Sequence, residues 1–406
     1  MFYIRLGFRN LVKYRRRSLL TLLTISMGLS SLLIAGGFIN YSLWGLRESI
    51  INGGVGHFQV FKKGFTEKSD EDSWQYLMTD YKKLVREISV IPGIKLVAPR
   101  LSFGGLLSSG DRSTVVMGYG GSLEEEKSLT SFSSIEKGSF PRDDEPYGSL
   151  IGAGVADIGS LNAGDSATLS VALKDGAVNA IDLGVTGIIR SQLEDMEKVF
   201  MFIPLETAQK LMNVPSSIDS LVIQLVNTDE MERVQAQLRI ICEKNGLEFR
   251  TWDEIVPYFN GAREFYTSAM NIALLVILAI VVFSIANTML MAIFDRMREI
   301  GTIRSLGTTS SQIFKMMGAE SVLLGVFGCI AGIAIALAVS FVINSTGGIP
   351  LPPPPGNSRS YRGMISINIH DVALYSSMIV LVSFLSSVYP AIKAVRMPIA
   401  DTLRWI

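Results

Sequence analysis

Ser18–Leu46, reading SLLTLLTISMGLSSLLIAGGFINYSLWGL, contains no Asp, Glu, Lys or Arg. Three later stretches share the property: Phe265–Phe294, Ser321–Ile343 and Val372–Ile392. A helix needs roughly 20 apolar residues to cross the hydrocarbon core of a bilayer, and all four stretches reach that length. They are unevenly spaced, because residues 47–264 separate the first from the second. The expected fold is therefore a membrane α-helical protein with four transmembrane helices, plus a large α+β domain inserted between helices 1 and 2. By this reading residues 1–17 precede helix 1 (18–46), and 47–264 form the domain. Helix 2 covers 265–294, a loop 295–317, helix 3 318–344, a Pro-rich connection 345–371, helix 4 372–392 and a tail 393–406.

Charge sets the orientation. Of 406 residues 48% are hydrophobic and only 18% charged, and the 37 basic residues balance the 37 acidic ones. That balance gives no reason to expect a nucleic-acid partner. Arg5, Arg9, Lys13, Arg15, Arg16 and Arg17 precede helix 1 with no acid among them, which keeps that end in the cytoplasm. Arg296, Arg298, Arg304 and Lys315 do the same for the second-to-third connection, and Lys393, Arg396 and Arg404 for the tail. Residues 47–264 then face outward. The Arg-rich start suits a signal peptide, but the uncharged run is too long and lacks a small-x-small cleavage site, so a retained anchor is expected. Cys242 and Cys329 fall on opposite sides of the membrane boundary in this topology, and no disulfide between them is expected.

The outward block reads as mixed α/β. His57–Phe61 and Lys95–Pro99 have strand character, with an amphipathic helix over Asp80–Ile88 that aligns Tyr81, Leu84, Val85 and Ile88. The same order returns as a strand at Ser220–Val226, a helix at Thr228–Glu243 aligning Met231, Val234, Leu238 and Ile241, and a strand at Leu247–Trp252. Thr228 or Asp229 would cap that helix. Two strand–helix–strand units thus flank a β-rich insert at about 101–205. Inside it, Leu150–Gly159 (LIGAGVADIG) imitates part of a dinucleotide fingerprint, yet Asp157 stands where the third glycine belongs. A plain strand, tight turn and short helix is the simpler reading. His57 and His370, the only histidines, have no ligand spacing around them, and no nucleophile–base or carboxylate pair can be placed. Pro350–Gly356 (PLPPPPG) should be extended and stiff, either bracing the domain or simply connecting helices 3 and 4.

The most specific short motif is Asp295–Gly307, DRMREIGTIRSLG. As a short amphipathic helix at the membrane surface it would align Ile300, Ile303 and Leu306, with Arg298, Glu299 and Arg304 presented to a partner. A solvated loop whose arginines snorkel to lipid headgroups fits the same residues. Glu320, at the start of helix 3, is placed either to pair with one of these arginines or to lie solvated.

This run resembles the coupling-helix signature of the FtsX-like and MacB-like permeases of ABC transporters, E-R-x-R-E-I-G-x-x-R-A-x-G, with Asp295 and Ser305 as mild departures. Tyr389-Pro390-Ala391 with Lys393 and Ala394, then Pro398–Arg404, resemble the family's closing segment, and Arg9-Asn10-Leu11 and Arg15–Leu20 its opening. Leu150–Asp165, Phe202–Leu205 and Ala208-Gln209 are similar to its outer domain, so the likeness covers essentially the whole chain. Gly56–Val60 and the Pro-rich connection resemble the lipoprotein-releasing LolC/LolE branch most.

The resemblance implies a non-catalytic permease of the bacterial inner membrane with its large domain in the periplasm. It implies an ABC ATPase subunit dimer as partner, docking at Arg296, Arg298, Glu299, Ile300, Gly301, Ile303, Arg304, Leu306 and Gly307. ATP and Mg would sit in that partner, with no cofactor on this chain, which carries no G-x-x-x-x-G-K-[ST]. A second permease chain, the same or paralogous, and a possible periplasmic carrier are implied too. ATP-driven mechanotransmission would extract or release lipoprotein or other lipidic cargo. The rival roles are a relay controlling a cell-wall hydrolase and MacB-like efflux of peptides or drugs. Phe38, Ile39, Tyr41, Leu43, Trp44, Phe265, Tyr266, Met270 and Ile272 are candidate walls of a cargo cavity; as aromatic and aliphatic residues at a membrane edge they equally suit an interfacial belt.

Overall fold

The computed structural model describes residues 2–67, 73–129, 134–190, 197–351 and 361–398. They form two compact units: one from Gly45–Asn260 with 351–361, the other from the remaining segments, which contain the apolar helices.

The chain opens with helix α1 (Phe2–Lys13), followed by α2 (Arg15–Ile50). In α2, Ile25, Leu29, Leu32 and Leu33 recur at helical spacing and are buried, while Leu19, Leu20, Leu23 and Met27 point outward. A stripe for protein and a stripe for lipid is what a peripheral membrane helix requires. Past Ile50 the helix unwinds over Ile51–Val55, where Gly54 takes φ +112°, and Gly56 follows with φ +70°. A Cβ there would lie 2.5 Å from Val222 Cγ1 and 2.9 Å from Ile223 O, so both the dihedral and the space demand glycine.

The unit Gly45–Asn260 is built on a mixed ten-stranded sheet. In chain order its elements are β1 (Phe58–Lys62), α3 (Tyr81–Ser89), β2 (Ile94–Ser109), β3 (Arg112–Gly121) and α4 (Leu123–Leu129). Then come β4 (Ser134–Gly138), β5 (Gly148–Gly152), α5 (Ala153–Gly159), β6 (Ser166–Ala172), β7 (Val178–Arg190), β8 (Phe200–Pro204) and α6 (Leu205–Leu211). The last are β9 (Ser220–Leu225), α7 (Met231–Asn245), β10 (Leu247–Thr251) and α8 (Trp252–Ile255). The strand order is β10-β1-β9-β2-β3-β8-β5-β7-β4, with β6 pairing β2 and β7. Among the described residues, only β3–β8 and β5–β7 run parallel. The flanking segments run β1–α3–β2 and β9–α7–β10. Tyr81, Leu84 and Ile88 of α3 and Val234, Leu238 and Cys242 of α7 are buried in one core with Phe58, Val60 and Ile223. Asn227, rather than Thr228 or Asp229, makes the cap: its side chain accepts from Asp229 N at 3.0 Å and starts the turn Thr228–Glu230 that leads into α7.

Residues 101–205, read as a β-rich insert between two flanking units, share one sheet with them. The long strand β2 pairs β9 over Ile94–Arg100 and β6 over Gly105–Ser108, while β3 accompanies it from Arg100 to Ser109. At the changeover Arg100 is buried and meets Glu126 of α4 in two bonds, 2.6 and 2.8 Å, with its guanidinium 4.0 Å above the Tyr119 ring. The glycines of LIGAGVADIG have a steric purpose. A Cβ on Gly152 would come within 2.1 Å of Glu197 O, and one on Gly154 within 2.8 Å of Lys198 Cα. A crossing backbone occupies the place where a fingerprint would hold phosphate.

The remaining helices are α9 (Pro257–Asp295), α10 (Met297–Ser305), α11 (Ser310–Ser345), α12 (Ile369–Ser386) and α13 (Val388–Arg396), with a small strand pair β11 (Ile349–Leu351) and β12 (Tyr361–Gly363) before α12. With α2, the apolar helices α9, α11 and α12–α13 are long enough to span a membrane. The fourth helix loses a bond, because Pro390 has no N–H to offer the carbonyl of Ser386, yet Ser387 keeps helical dihedrals (φ −79°, ψ −15°) and α12 runs on into α13. Small residues bring the helices together. A Cβ on Gly28 would lie 2.9 Å from Ile277, one on Gly328 2.5 Å from Ile25, one on Gly332 2.9 Å from Ser26 O, and one on Gly325 2.7 Å from Ser383. Between apolar helices in apolar solvent, such close backbone approach is the available source of cohesion. The Pro352–Gly356 and Ile399–Arg404 readings lie outside the described residues.

Candidate functional site

The helix α10 exists because α9 cannot continue past Asp295. Arg296 leaves helical geometry at φ −113°, ψ 15°, and the chain restarts at Met297. It stops at Leu306, where Gly307 takes φ +98°, and Thr309 with Gln312 forms a capping box that launches α11. One face of α10 is anchored: Met297, Ile300 and Gly301 are buried, Met297 and Ile300 in a cluster with Ile293, Ile313, Met317, Ala391 and Ala394. The opposite face carries Arg298, Glu299, Thr302, Ile303 and Leu306, all exposed. The expected stripe is therefore split. Ile300 belongs to the core, whereas Ile303 and Leu306 are 42% and 81% exposed.

Charge ties this helix to the start of the chain. Arg296 Nη1 reaches Glu320 Oε2 at 3.3 Å, the same oxygen that accepts from Asn10 Nδ2 at 3.2 Å. The Arg296 guanidinium also lies 5.4 Å from the Tyr14 ring centroid and 3.6 Å from Glu299. Glu299 accepts from Lys13 Nζ at 2.9 Å, and Arg17 pairs with Asp295. The hydrogen bond from Lys13 holds the Glu299 carboxyl below the usual carboxylate range, and Glu299 raises Lys13 in return. Arg304 donates to Met397 O at 2.7 Å. Of the three charges read as facing a partner, Glu299 and Arg304 are thus engaged within the chain, and Arg298 is exposed. The Glu320–arginine pair is present. Asn10, Lys13, Tyr14 and Arg17 were not singled out as site residues, since nothing in their spacing tells of partners nearly 300 positions away.

The candidate cavity residues occupy the ends of α2 and α9 away from α10. Phe38, Ile39, Tyr41, Leu43 and Met270 are half-buried; Trp44, Phe265, Tyr266 and Ile272 are exposed. The Tyr41 and Trp44 rings are 5.8 Å apart, and those of Phe265 and Tyr266 5.7 Å. A Cβ on Gly36 would meet Met270 Cε at 3.5 Å, bringing the two helices into contact at this level. Beside them an extended segment is fastened to the helices. Asn344 accepts from Ile365 N and donates to Ile365 O, both at 2.9 Å, and Ser366 N donates to Gly37 O at 3.0 Å. Non-helical backbone near a bilayer needs this kind of internal satisfaction.

Comparison with known families adds to this geometry. The model for the FtsX-like permease C-terminal domain matches residues 271–399, and that for the MacB-like periplasmic core domain matches 18–241, more than half of the chain. The chain belongs to this family of ABC transporter permeases. Its similarity to the lipoprotein-releasing system transmembrane protein LolC of Neisseria meningitidis is 21% identity over 98% of each chain. With LolE of Haemophilus influenzae it shares 22% over 80% of each. With the macrolide export ATP-binding/permease protein MacB of Burkholderia pseudomallei it shares 22%, over 84% of this chain and 52% of that one. The crystal structure of the periplasmic region of MacB from Actinobacillus actinomycetemcomitans matches 53% of this chain and 98% of that chain, at 16% identity and TM-score 0.38. As in the permease family at large, an ATPase partner and a second permease chain are expected.

Proposed function

We propose that this permease couples ATP hydrolysis in a separate ATPase subunit dimer to the extraction or release of lipoprotein or another lipidic cargo from the bacterial inner membrane. Residues 47–264, inserted between the first two spans, form the periplasmic domain. The observation that carries the reading is end-to-end similarity to a lipoprotein-releasing permease, 98% of each chain, together with α10 and its exposed Arg298, Ile303 and Leu306. In this reading the ATPase grips α10, ATP and Mg stay in the partner, and closure of the nucleotide dimer shifts the equilibrium between two arrangements of the spans.

The chemistry of such a cargo explains why a membrane device is needed. Each acyl methylene costs about 0.8 kcal/mol to expose to water, so two or three chains amount to tens of kcal/mol. Apolar walls at the outer ends of α2 and α9, with Phe38, Ile39, Tyr41, Leu43, Trp44, Phe265, Tyr266, Met270 and Ile272, would spare the chains that exposure. The 22% identity to MacB favours a second reading, efflux of peptides or drugs with a periplasmic adaptor.

One experiment separates the readings. The chain is purified with its co-expressed ATPase, placed in proteoliposomes, and supplied either with a fluorescent triacylated lipopeptide in the membrane or with a soluble macrolide inside. ATP-dependent transfer of the lipopeptide to a soluble acceptor supports release. Macrolide export without lipopeptide transfer replaces it by efflux, and no association with any P-loop ATPase would falsify both.

A further inference from the structure

The helix α1 has three faces. Gly7, Asn10 and Leu11 are buried; Gly7 lies against Leu323 and Glu320, and Asn10 bonds Glu320. Phe8 and Val12 are 52% and 46% exposed, and the Phe8 ring lies 6.1 Å from that of Phe327. Arg5 and Arg9 are exposed on the next arc of the helix, and Arg16, just beyond the break at Tyr14, is exposed too. None of these three arginines is in an ion pair among the described residues, whereas Lys13 and Arg17 have Glu299 and Asp295.

The level at which α1 crosses α11 gives these faces their meaning. Glu320 is the last charged residue before the uncharged run Ser321–Ile343, and Gly7 and Asn10 touch it there. Phe327 is already inside that run. A helix at this boundary with a protein face, an apolar face and a cationic face has one environment that satisfies all three. Water on every exposed side would leave Phe8 and Val12 solvated; hydrocarbon would strand the arginines.

We propose that α1 lies along the cytoplasmic lipid–water boundary and that Arg5, Arg9 and Arg16 bind the phosphate headgroups of anionic phospholipids, while Phe8 and Val12 enter the acyl layer. Guanidinium suits phosphate by its bidentate fork, and an amphipathic helix gains from buried apolar area and headgroup charge together. The inference stands whatever the cargo is.

The test uses the full-length protein in nanodiscs of phosphatidylcholine mixed with phosphatidylglycerol, with the lipid kept after a delipidating wash counted by native mass spectrometry. Each cation near an anionic surface contributes roughly fivefold, so Arg5→Gln, Arg9→Gln and Arg16→Gln together should cut retention of phosphatidylglycerol on the order of a hundredfold. The triple Arg→Lys variant should keep most of it, and Arg239→Gln, an exposed cation on α7 of the sheet unit, should keep all of it. Added salt should weaken retention in the wild type. Retention by the Gln triple at the wild-type level, or an equal loss in Arg239→Gln, overturns the proposal. Should the triple not assemble, Arg9→Gln alone is read the same way: a drop of about fivefold supports the proposal and no drop overturns it.

Discussion

Replacing Arg296 by Met should destabilise the membrane unit more than replacing its partner Glu320, and replacing both should restore part of the loss. The side chains of Arg296 and Glu320 are 11% and 8% exposed, and the carboxylate has Asn10 as its other bond within the protein. Arg296→Met leaves a buried carboxylate facing Asn10 and a thioether; breaking such a pair costs about 3–5 kcal/mol. Glu320→Met leaves a guanidinium that still has Glu299 at 3.6 Å and the Tyr14 ring at 5.4 Å, so a loss of about 1–2 kcal/mol is expected. With both gone no buried charge remains, and the double variant should be milder than Arg296→Met alone. At about 2–4 °C per kcal/mol for a unit of roughly 150–250 residues, Arg296→Met should lower the melting midpoint by on the order of 10 °C. Cys329 is 4% exposed in α11, so a thiol-reactive dye in a Cys242→Ala background reports when this unit opens. An Arg296→Met variant that melts no lower than Glu320→Met, or losses that simply add in the double variant, would refute this coupling.

Three further outcomes are expected. His57, buried, accepts from Leu225 N through Nδ1, and burial, then Arg47, pushes its pKa down to about 4. The unfolded chain takes up its proton near 6.5 and the fold only near 4, so this stability is complete above pH 6.5. It falls as pH drops through that window by about 3 kcal/mol; His57→Asn, which keeps an acceptor and cannot titrate, should flatten the slope of urea unfolding across it. Gly152→Ala should abolish folding of the sheet, because its Cβ would enter the space of Glu197 O, whereas Gly184→Ala, with open space around it, should be silent by circular dichroism. Arg298→Glu should leave the melting midpoint unchanged and weaken capture of the ATPase several-fold in a pull-down; undiminished capture would remove Arg298 from the proposed grip.

What the sequence reveals here depends on how far apart the interacting residues lie. Apolar runs and helical spacing are local, so the spans and the faces of α3 and α7 can be read without a structure. The bond that Pro390 removes from the fourth helix was legible in principle, but hydropathy averages over a proline. The single sheet was not legible, because β2 reads as a short strand at Lys95–Pro99 until Gly104, Gly105 and the alternating residues beyond find β3 and β6. The link from Arg296 to Glu320 spans 24 positions, and the sequence offers it as one of two readings; that from Asn10 to Glu320 spans 310. Pairing of that kind is decided by how α1 crosses α11, and residue spacing carries no trace of it.

The split stripe on α10 bears directly on the proposed grip. A helix needing only to lie on its own protein would bury Ile303 and Leu306 with Ile300, and the sequence permits that register. Instead Ile300 is fixed in the core by Met297 and Ile313, and the left-handed Gly307 ends the helix with Leu306 81% exposed. Arg304 is drawn back to Met397 O and Glu299 to Lys13, which leaves an outward surface of Arg298, Ile303 and Leu306. One cation beside two apolar side chains is a poor membrane anchor, since lipid would take the apolar pair only at the cost of the polar Thr302 and Ser305 around them. A protein groove with an apolar floor and an acidic rim fits all three, and that is the surface an ATPase subunit would have to present to α10.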